Sequence, residues 1–374
     1  MSTQKYKVAT REALSPGEMK QLKAGETEIL LARHEDEFFA TAAHCTHYGA
    51  PLAEGVLSGK RVICPWHHAC FDVSTGDQTE PPGCDSLPRF EVSVSGEDVY
   101  VSVPEDAPAQ RMVAMKKRSE SSEQLYAIIG GGAAGQYAAE ALRAEGYQGR
   151  ILMISQDKDL PYDRVNCSKE YLQGEAPAAW MPLRDTGFYE EYSIELMMDT
   201  TVKELDADQK KIQLLNGEVI SYDKALICTG GAARKLDIAG ADLENVFTLR
   251  SMQDSSQIQE AAKEAKKVVV IGSSFIGMEG AWSLSKLGCD VTVVSPEKVP
   301  FASKWGEEVG AMLKKKHEEN GIKFKLETKV KSFDGDNKVK RVKMENGDSL
   351  ETDMVLVGVG VDPATAFVKG IDLA

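Results

Sequence analysis

The sequence predicts a multidomain chain in which a small all-β domain precedes a region of parallel α/β sheets. Three observations support this fold class: short strand-like runs separated by turn residues in the first hundred residues, a proline- and charge-rich segment after them, and a repeated order of strand, glycine turn, helix and strand from Leu125 onward. With 374 residues, 42% of them hydrophobic, the chain is long enough for each domain to bury its own core.

The N-terminal domain is predicted from its strands. Apolar and β-branched runs between Gly, Pro and Ser residues are typical of strands, and no helical period appears among them. The predicted strands are residues 5–10, 28–32, 37–42, 61–64, 89–95 and 98–103. The segment that follows, 104–124 (PEDAPAQRMVAMKKRSESSEQ), is rich in proline and then in charge and serine, so we predict a linker after an all-β domain of residues 1–103.

The α/β region repeats one order of elements. LYAII, the helical pattern AAGQYAAEALRA and RILMIS are followed later by KKVVVIG, FIGMEGAWSLSKLG and CDVTVVS. Strand, glycine turn, helix and strand in this order are typical of parallel α/β sheets. We predict the first part of one domain at 125–247, a second domain inserted at 248–360, and a return to the first domain at 361–374. MVLVGVGV (354–361) is predicted as a buried strand.

Charge, hydropathy and cysteine content exclude several classes of protein. A net charge of −14 argues against nucleic acid and anionic lipid as partners, because their phosphates would repel the chain. No apolar run approaches the roughly 20 residues of a membrane-spanning helix. Residues 1–20 lack the apolar core of a secretory signal, so we expect a cytoplasmic protein. Seven scattered cysteines do not make a disulfide scaffold, which leaves metal binding or catalysis for the clustered ones.

Two short segments combine cysteine with histidine. CTHYGAPL (45–52) supplies Cys45 and His47, and after sixteen intervening residues CPWHHACFD (64–72) supplies Cys64 and His67. Two thiolates and two imidazoles suit either tetrahedral zinc or a two-iron cluster in which two cysteines hold one iron and two histidines the other. Because each segment pairs one Cys with one His beside turn-forming residues, we favour the iron–sulfur interpretation and keep zinc as the alternative.

The first glycine turn follows the strand LYAII. Gly130, Gly132 and Gly135 satisfy G-x-G-x-x-G at the start of a helix whose first turn includes Ala134, which predicts a dinucleotide pyrophosphate at that helix N-terminus. After the next strand, Asp157 is placed to hold ribose hydroxyls, with a solvated turn acid as the alternative.

The second glycine turn is weaker by motif alone. Its outer positions are Gly272 and Gly277, with Phe275 and Ile276 between them, but the middle glycine is replaced by Ser274. Its place after KKVVVI still predicts a second dinucleotide site.

The segments resemble those of known families. CTHYGAPL with CPWHHACFD resembles the Rieske ferredoxin motif over residues 1–103, with His68 where that family usually has glycine. LPYDRVNCSKEYLQG (160–174) and ALICTGGAARKL (225–236) resemble segments of flavin-dependent ferredoxin reductases and of apoptosis-inducing-factor-like oxidoreductases. VGVGVDPATAF (357–367) resembles the stretch that ends their nicotinamide domain, and the order of modules is similar to that of Rieske-bearing members of the second group.

The resemblance implies cofactors and roles. A [2Fe–2S] cluster is expected on the Cys/His quartet, FAD on 125–247 and NAD(H) or NADP(H) on 248–360. Flavin contacts are then expected from Arg164, Lys169, Thr229 and Gly230. Lys169 is expected beside the flavin ring, with Glu279 as its counter-charge and catalytic partner. Ser295 stands where the family has its ribose-binding acid, and Glu297 follows two residues later. Since no arginine follows, NADH is favoured and NADPH stays open.

We therefore predict an NAD(P)H-dependent flavoprotein oxidoreductase that passes electrons through FAD to a Rieske centre and on to an unidentified acceptor, a protein or a small molecule. A disulfide reductase is disfavoured because Cys167 has no nearby cysteine partner. The alternatives are a Rieske electron carrier fused to a non-catalytic nucleotide-sensing domain and, more distantly, a zinc-stabilised binding protein. The resemblance also implies a second flavin segment and an interface domain after Ala374, so we expect a chain ending there to bind flavin poorly. For the full-length protein, a homodimer is one possible state.

Overall fold

The computed structural model describes residues 2–371, so the last three residues of the segment predicted over 361–374 lie outside the described part of the chain. The chain divides into two compact units, Met1–Ala114 and Met115–Ala374. The division falls within the segment that was predicted to be a linker. Each unit is built from its own sheets and its own hydrophobic clusters.

The first unit consists of strands with short 3₁₀ turns at Arg11–Ala13 and Leu52–Glu54. Its strands are β1 (Thr3–Thr10), β2 (Met19–Ala24), β3 (Thr27–His34), β4 (Glu37–Ala42), β5 (Val56–Ser58), β6 (Arg61–Ile63), β7 (Cys70–Asp72), β8 (Gln78–Glu80), β9 (Arg89–Ser95) and β10 (Asp98–Pro104).

Two antiparallel sheets form this unit. The larger has the order β1-β10-β9-β4-β3-β2 and the smaller the order β5-β6-β7-β8. Alternating residues of β3 and β10 point into the core, where Ile29, Leu31, Val99 and Val101 are fully buried. The six predicted strands are present within two residues of their expected ends. The strands β2, β5, β7 and β8 were not predicted; the last three have only three residues each, too few to show a period.

The second unit contains strands and helices in alternation. Its helices are α1 (Ala133–Ala144), α2 (Thr186–Glu191), α3 (Met252–Ala262), α4 (Phe275–Lys286) and α5 (Ala302–Glu319). Its strands are β11 (Leu125–Ile129), β12 (Arg150–Ile154), β13 (Ile194–Met197), β14 (Val202–Asp206), β15 (Lys211–Leu214), β16 (Val219–Ser221), β17 (Lys224–Ile227), β18 (Gly231–Ala233), β19 (Val246–Thr248), β20 (Lys267–Ile271), β21 (Asp290–Val294), β22 (Lys323–Lys325), β23 (Val330–Gly335), β24 (Val339–Met344), β25 (Ser349–Glu351), β26 (Met354–Val357), β27 (Val361–Pro363) and β28 (Val368–Lys369). Short 3₁₀ turns lie at Arg164–Ser168 and Ala178–Trp180.

The first half of this unit is a parallel sheet of order β13-β12-β11-β17. Helix α1 connects β11 to β12, as the repeated order of elements predicts. An antiparallel sheet, β16-β15-β14-β28, lies in the same half. Strand β27 pairs with β18, and β28 pairs with β14. The chain from residue 361 thus pairs with strands of the first half.

The second half is a five-stranded parallel sheet of order β19-β26-β20-β21-β22, accompanied by the antiparallel strands β23, β24 and β25. Its core is aliphatic, with Val270, Val293 and Leu356 fully buried. The buried strand predicted at 354–361 covers only Met354–Val357. It ends because the chain then passes close to α4, where a Cβ on Gly358 would lie 2.8 Å from the backbone nitrogen of Gly277. Within residues 2–371, no helix is long and apolar enough to cross a membrane.

Candidate functional site

Two loops of the first unit carry the predicted metal ligands. Loop A (residues 45–50) follows β4, and loop B (residues 64–69) joins β6 to β7. The Cys45 N–H donates to the Ala50 carbonyl at 2.9 Å, and the Cys64 N–H donates to the Ala69 carbonyl at the same distance. Each loop is thus closed by one hydrogen bond between its first and last residues. Segments with different sequences therefore present their ligands from the same backbone frame.

The resemblance between the loops extends to a left-handed residue in each. Gly49 has φ 72° and donates its N–H to the Cys45 carbonyl at 2.9 Å. His68 has φ 62° and donates its N–H to the Cys64 carbonyl at 3.2 Å. His68 therefore occupies a backbone conformation that favours glycine, which explains why the related motif usually has glycine there. The histidine is tolerated at a conformational cost.

The two cysteines lie side by side beneath the loops. Cys45 is 3% exposed and Cys64 is 2% exposed. Burial raises the pKa of the Cys45 thiol to about 12, and a hydrogen bond with the Cys64 thiol adds to the rise. The backbone N–H groups of His47 and Tyr48 donate to the same sulfur and act in the opposite direction. A buried sulfur that receives backbone N–H groups is prepared for a thiolate, which a bound metal ion stabilises.

The two imidazoles meet at the surface. Nδ1 of His47 lies 3.2 Å from Nδ1 of His67, and the rings cross at 78° with centroids 4.8 Å apart. Tyr48 stacks on His47 at 3.9 Å. The same nitrogen of each ring therefore faces a common point, as two ligands of one metal ion would.

The donor set fits a two-iron cluster better than zinc. A structural zinc ion takes all four ligands itself, whereas each iron of a Rieske centre takes two protein ligands and completes its shell with sulfide. Within residues 2–371, no three His, Cys, Asp or Glu side chains converge closely enough to hold one ion. The four side chains instead form a sulfur pair and a nitrogen pair. Cys45 and Cys64 would then hold one iron, and His47 and His67 the other.

In the second unit, the first glycine turn is shaped by the backbone around it. Gly130 has φ 117°, and a Cβ there would lie 2.3 Å from the Cys228 carbonyl oxygen. A Cβ on Gly135 would lie 2.1 Å from the Gly130 carbonyl oxygen. These two glycines are therefore required by close packing of β11, α1 and the segment after β17. The third glycine has a different explanation.

None of the residues described, 2–371, requires a glycine at position 132. Its φ is −93° and ψ −172°, values that any residue adopts, and a Cβ there would meet no atom within 4 Å. Gly132 is also the N-cap of α1, and no side chain caps that helix. Ala134, in the first turn, is exposed. Uncapped N–H groups beside open space fit the pyrophosphate of FAD, which would explain the glycine.

Thr229 and Gly230 lie beside this turn, since β17 is the parallel neighbour of β11. Thr229 donates to the Ala364 carbonyl at 2.8 Å, and Gly230 has φ 62° with its carbonyl accepting from the Ala364 N–H at 3.0 Å. The returning segment after β26 is thereby attached to the edge of the predicted flavin site.

Asp157, predicted to hold ribose, is occupied by protein partners. Its Oδ2 accepts from Arg164 Nη2 at 2.8 Å and from the Tyr162 hydroxyl at 3.3 Å. Arg164 also donates to the Arg250 carbonyl at 2.6 Å. The sequence analysis assigned no ribose-binding role to Gln156, the exposed residue directly before Asp157. The ribose role of Asp157 stays a prediction.

Lys169 and Glu279 are brought together by the fold. Lys169 Nζ donates to Glu279 Oε2 at 2.6 Å, and the Ser168 hydroxyl donates to the same oxygen at 2.6 Å. Ser283, one turn along α4 from Glu279, donates to the Ser168 carbonyl at 2.7 Å. The ion pair is about one-third exposed, so that a ligand can reach it. The carboxylate therefore holds the lysine ammonium group in one place.

The second glycine turn repeats the geometry of the first. Gly272 has φ 102°, and a Cβ there would lie 2.3 Å from the Gly358 carbonyl oxygen; a Cβ on Gly277 would lie 2.0 Å from the Gly272 carbonyl oxygen. Ser274 is the N-cap of α4, with φ −102° and ψ −162° and no capping bond from its side chain. The backbone therefore tolerates serine at the middle position. Phe275 is exposed, whereas Ile276 packs on the core.

Glu297 lies beyond the carboxyl end of β21. The Ser303 hydroxyl donates to its Oε1 at 2.7 Å, while its Oε2 is buried without a hydrogen-bond partner. Ser295, at the position of the family's acid, instead accepts from the buried Ser273 hydroxyl at 2.8 Å. Glu297 therefore carries one engaged and one unsatisfied oxygen, and a buried acceptor without a donor is unfavourable.

Cys167 packs as a hydrophobic side chain. It is buried in the cluster that contains Leu172 and Met181, and burial raises the pKa of its thiol to about 12. Its thiolate is thus scarce at neutral pH. All seven cysteines lie within the described residues, and none of them forms a disulfide there.

Sequence reasoning missed several residues around these sites. Ser168 and Ser283 assist the Lys169–Glu279 pair, and the spacing of Glu279 and Ser283 on one helix could have indicated the second of them. Tyr48 stacks against His47, a contact that no sequence pattern announces. The roles of all these side chains toward a cofactor stay predictions.

Comparison with known proteins agrees with this geometry. The sequence profile of the Rieske [2Fe–2S] domain matches residues 4–91, and that of the pyridine nucleotide-disulphide oxidoreductase family matches residues 125–374. A Rieske domain carries a two-iron cluster, and the flavoprotein reductases of this family use FAD and NAD(P)H. The expected fold class, a Rieske β domain followed by an α/β flavoprotein region, is confirmed.

Three relatives show how far the similarity extends. Apoptosis-inducing factor 3 of Homo sapiens is 37% identical over 364 residues, which cover 95% of this chain and 60% of the relative. The ferredoxin–NAD(+) reductase subunit of the benzene 1,2-dioxygenase system of Pseudomonas putida is 38% identical over 245 residues, 65% of this chain and 59% of that protein. The crystal structure of a ferredoxin reductase from Rhodopseudomonas palustris superposes with a TM-score of 0.63 at 31% identity, over 65% of this chain and 60% of that chain.

The chain thus spans about 60% of the length of these relatives. Within that span, it combines a region matched by the oxidoreductase family profile with an N-terminal Rieske domain. The chain belongs to the pyridine nucleotide-disulphide oxidoreductase family and carries a Rieske [2Fe–2S] domain ahead of the family's α/β region.

Proposed function

We propose that this protein is an NAD(P)H-dependent flavoprotein oxidoreductase that passes electrons from NAD(P)H through FAD to its own Rieske cluster and on to an acceptor. When bound, FAD supplies the change from two-electron to one-electron transfer, and the cluster supplies one-electron storage. The observation that supports the proposal most strongly is that one chain contains both features: a cysteine sulfur pair with a histidine nitrogen pair, and two glycine turns of the kind that binds dinucleotides.

The glycine turns would bind the two dinucleotides. The uncapped N-termini of α1 and α4 present N–H groups and the positive end of a helix dipole to pyrophosphate. Gly132 leaves room for close approach of the first pyrophosphate. In the second turn, Ser274 takes the position that Gly132 has in the first. The Ser274 hydroxyl can donate a hydrogen bond to a phosphate oxygen.

Lys169 would hold charge at the reacting ring. Its ammonium group is fixed by the Glu279 carboxylate and can donate a hydrogen bond to a ring atom that becomes more basic on reduction. Because the ion pair is partly enclosed, this interaction is stronger than it would be in water. We assign Lys169 and Glu279 the role of positioning and stabilising the flavin during hydride transfer.

Glu297 would favour NADH over NADPH. Its Oε1, which lies near the surface beside Ser303, can accept a further hydrogen bond from the 2′-hydroxyl of an adenosine ribose. A 2′-phosphate would instead place negative charge against a carboxylate. The Ser303 hydrogen bond keeps the side chain near the carboxyl end of β21, where Rossmann-type sites contact ribose.

The acceptor would approach the exposed His47 and His67 rings, since electrons leave most readily from the iron nearest the surface. The Tyr48 ring contacts both imidazoles, and Tyr48 and Trp66, the residue before His67, are both about half exposed. Seven cysteines without a disulfide among the described residues suit a reducing compartment, so we propose that the reaction takes place in the cytoplasm. We propose that the acceptor is an electron-carrier protein or a small oxidant. We also propose that the full-length protein forms a homodimer.

Anaerobic stopped-flow absorption with NADH, followed by freeze-quench EPR, tests the proposal. The chain is first reconstituted with iron, sulfide and excess FAD. We expect bleaching of the flavin bands, followed by the signal of a reduced Rieske centre. The variant Cys64→Ala should keep the first event and lose the second, whereas Cys289→Ala, which changes a buried cysteine of the other unit, should keep both.

The competing function is a Rieske carrier fused to a nucleotide-sensing domain. Ser274 in place of the middle glycine is the observation that favours it. NADH binding without flavin bleaching would support that alternative and contradict the proposal. Flavin bleaching without cluster reduction would contradict only the internal transfer of electrons.

A further inference from the structure

Each cluster-ligand loop is held from outside by a side chain. In loop A, Nδ1 of His44 lies 3.0 Å from the carbonyl oxygen of Gly49, the left-handed residue. In loop B, the Cys70 thiol donates to the carbonyl oxygen of His68, the other left-handed residue, at 3.3 Å. A carbonyl oxygen only accepts, so Nδ1 of His44 is the donor. The equivalent backbone oxygen is therefore bound in both loops, by unrelated residue types.

A carboxylate lies behind each of these side chains. Oε2 of Glu28, on β3, is 2.7 Å from Nε2 of His44. Oε2 of Glu80, on β8, lies 3.5 Å from the Cys70 sulfur, whose single proton is donated to the His68 carbonyl. The first contact is short and the second is long, and Glu28 orients the His44 ring from the strand beside the loop. The imidazole is thus bound at both nitrogens between a strand and the turn of loop A.

The bound carbonyls decide how the ligands are presented. A left-handed residue fixes the direction of the peptide groups on either side of it, and Gly49 has no side chain that would restrict it. One of those groups carries the Gly49 N–H, which donates to the Cys45 carbonyl and closes the turn that contains His47 and Tyr48. The backbone N–H groups of His47 and Tyr48 in this turn point at the Cys45 sulfur. Rotation at Gly49 would turn these donors away from the sulfur. Hydrogen bonds to cluster sulfurs in turn set the reduction potential.

We propose that His44, held by Glu28, is a positioning residue for the [2Fe–2S] centre: by donating Nδ1–H to the Gly49 carbonyl it fixes the peptide groups of loop A around the Cys45 sulfur. Cys70 has the corresponding role for loop B through the His68 carbonyl. The inference rests on the cluster assigned under the proposed function, but not on flavin or nucleotide chemistry. It predicts that residue 44 must place a donor at the position of Nδ1, and that this matters more than the charge of the side chain.

Two substitutions separate the two nitrogens of His44. In His44→Asn, the side-chain nitrogen lies close to the position of Nδ1 and can still reach the Gly49 carbonyl. In His44→Gln, it lies close to the position of Nε2 and reaches Glu28 instead. His44→Ala removes both contacts, and His34→Ala, which changes another histidine of the same unit, is the matched control.

The full chain, reconstituted with iron and sulfide, is compared by EPR g values, by the midpoint potential from a redox titration, and by the rate of loss of cluster absorbance under a chelator. We expect H44A and H44Q to shift the g values and the potential. A typical hydrogen bond corresponds to about five- to tenfold in an equilibrium, so we expect cluster loss to be faster by about that factor. H44N and H34A should match the wild type in all three measurements.

The proposal is overturned if H44A matches the wild type in g values and potential, or if H44Q retains them as well as H44N does. Cys70→Ala and Cys70→Ser make the same comparison for loop B, since serine keeps a donor; equal effects of the two would overturn the role of Cys70. If the chain took up no two-iron cluster, the proposed function itself would be contradicted. If every variant carried a normal cluster, only the positioning roles of His44 and Cys70 would be overturned.

Discussion

Replacing His68 by glycine should stabilise the Rieske unit, because His68 is held at φ 62° in loop B. The side chain is exposed, and the contacts of this residue that hold the loop are made by its backbone N–H and carbonyl groups. His68→Gly keeps both backbone groups. The substitution therefore relieves conformational strain without removing a hydrogen bond of the loop.

The expected magnitude follows from two opposing effects. A left-handed conformation costs a non-glycine residue about 1–2 kcal/mol. Glycine loses more conformational freedom on folding, which costs about 0.5–1 kcal/mol. The free energy of unfolding of the first unit should accordingly rise by about 0.5–1 kcal/mol. The reverse change in loop A, Gly49→Ala, should lower it by a similar amount, since a Cβ at Gly49 meets no atom within 4 Å and only the conformational cost applies.

Urea unfolding of the iron-loaded chain, followed by the visible circular dichroism of the cluster, reports on the first unit alone. His68→Ala is the decisive control, because alanine removes the imidazole but keeps the left-handed strain. If H68A stabilised the unit as much as H68G, the imidazole and not the backbone would be the cause. Unchanged stability in both H68G and G49A would refute the assignment of strain to these two positions.

Three further substitutions test the second unit. Lys169→Ala should slow flavin reduction by NADH about tenfold or more in stopped flow, since a charge-assisted hydrogen bond contributes about 1.5–3 kcal/mol. Lys263→Ala, which changes the exposed lysine directly after α3, should not, and equal rates in K169A and the wild type would remove Lys169 from the reacting site. Glu297→Gln should reduce the ratio of NADH to NADPH affinity measured by calorimetry, and a constant ratio would count against Glu297 as the selecting residue. The pKa of Cys167 is raised to about 12, so the unfolded state releases the thiol proton at lower pH than the folded state does. The free energy of unfolding should therefore fall as pH rises from about 9 toward 12, and Cys167→Ala should make that fall less steep in denaturation measured at several pH values.

Local pattern was sufficient for most elements of the fold, and it also underlies the prediction of the metal ligands. The predicted strands of the first unit and the repeated order around Gly130 and Gly272 depend on residues close together in sequence, whose apolar period and turn residues act locally. The pairing of one Cys with one His in each loop is local in the same sense. Strands of three residues, such as β5 and β7, were missed because three residues cannot show a period.

The roles of single side chains depended on contacts between distant segments. Asp157 was predicted from its place after β12, but Arg164 and Tyr162 occupy its carboxylate, and no pattern near Asp157 reveals their orientation. Serine at position 274 weakened the second motif, yet the backbone there has an extended φ that serine adopts without strain. Whether a motif tolerates a substitution thus depended on dihedral angles and neighbours.

The amino-acid order alone determined that this chain would form a β module and a nucleotide-binding α/β unit, since period and glycine placement act over a few residues. Only the tertiary structure decided that Nδ1 of His47 would face Nδ1 of His67, and that the Ser168 hydroxyl would reach the same Glu279 oxygen as Lys169. The physical reason is that a hydrogen bond or a metal site requires atoms within about 3 Å of each other, and such proximity between distant segments is set by the packing of the sheets and helices that carry them.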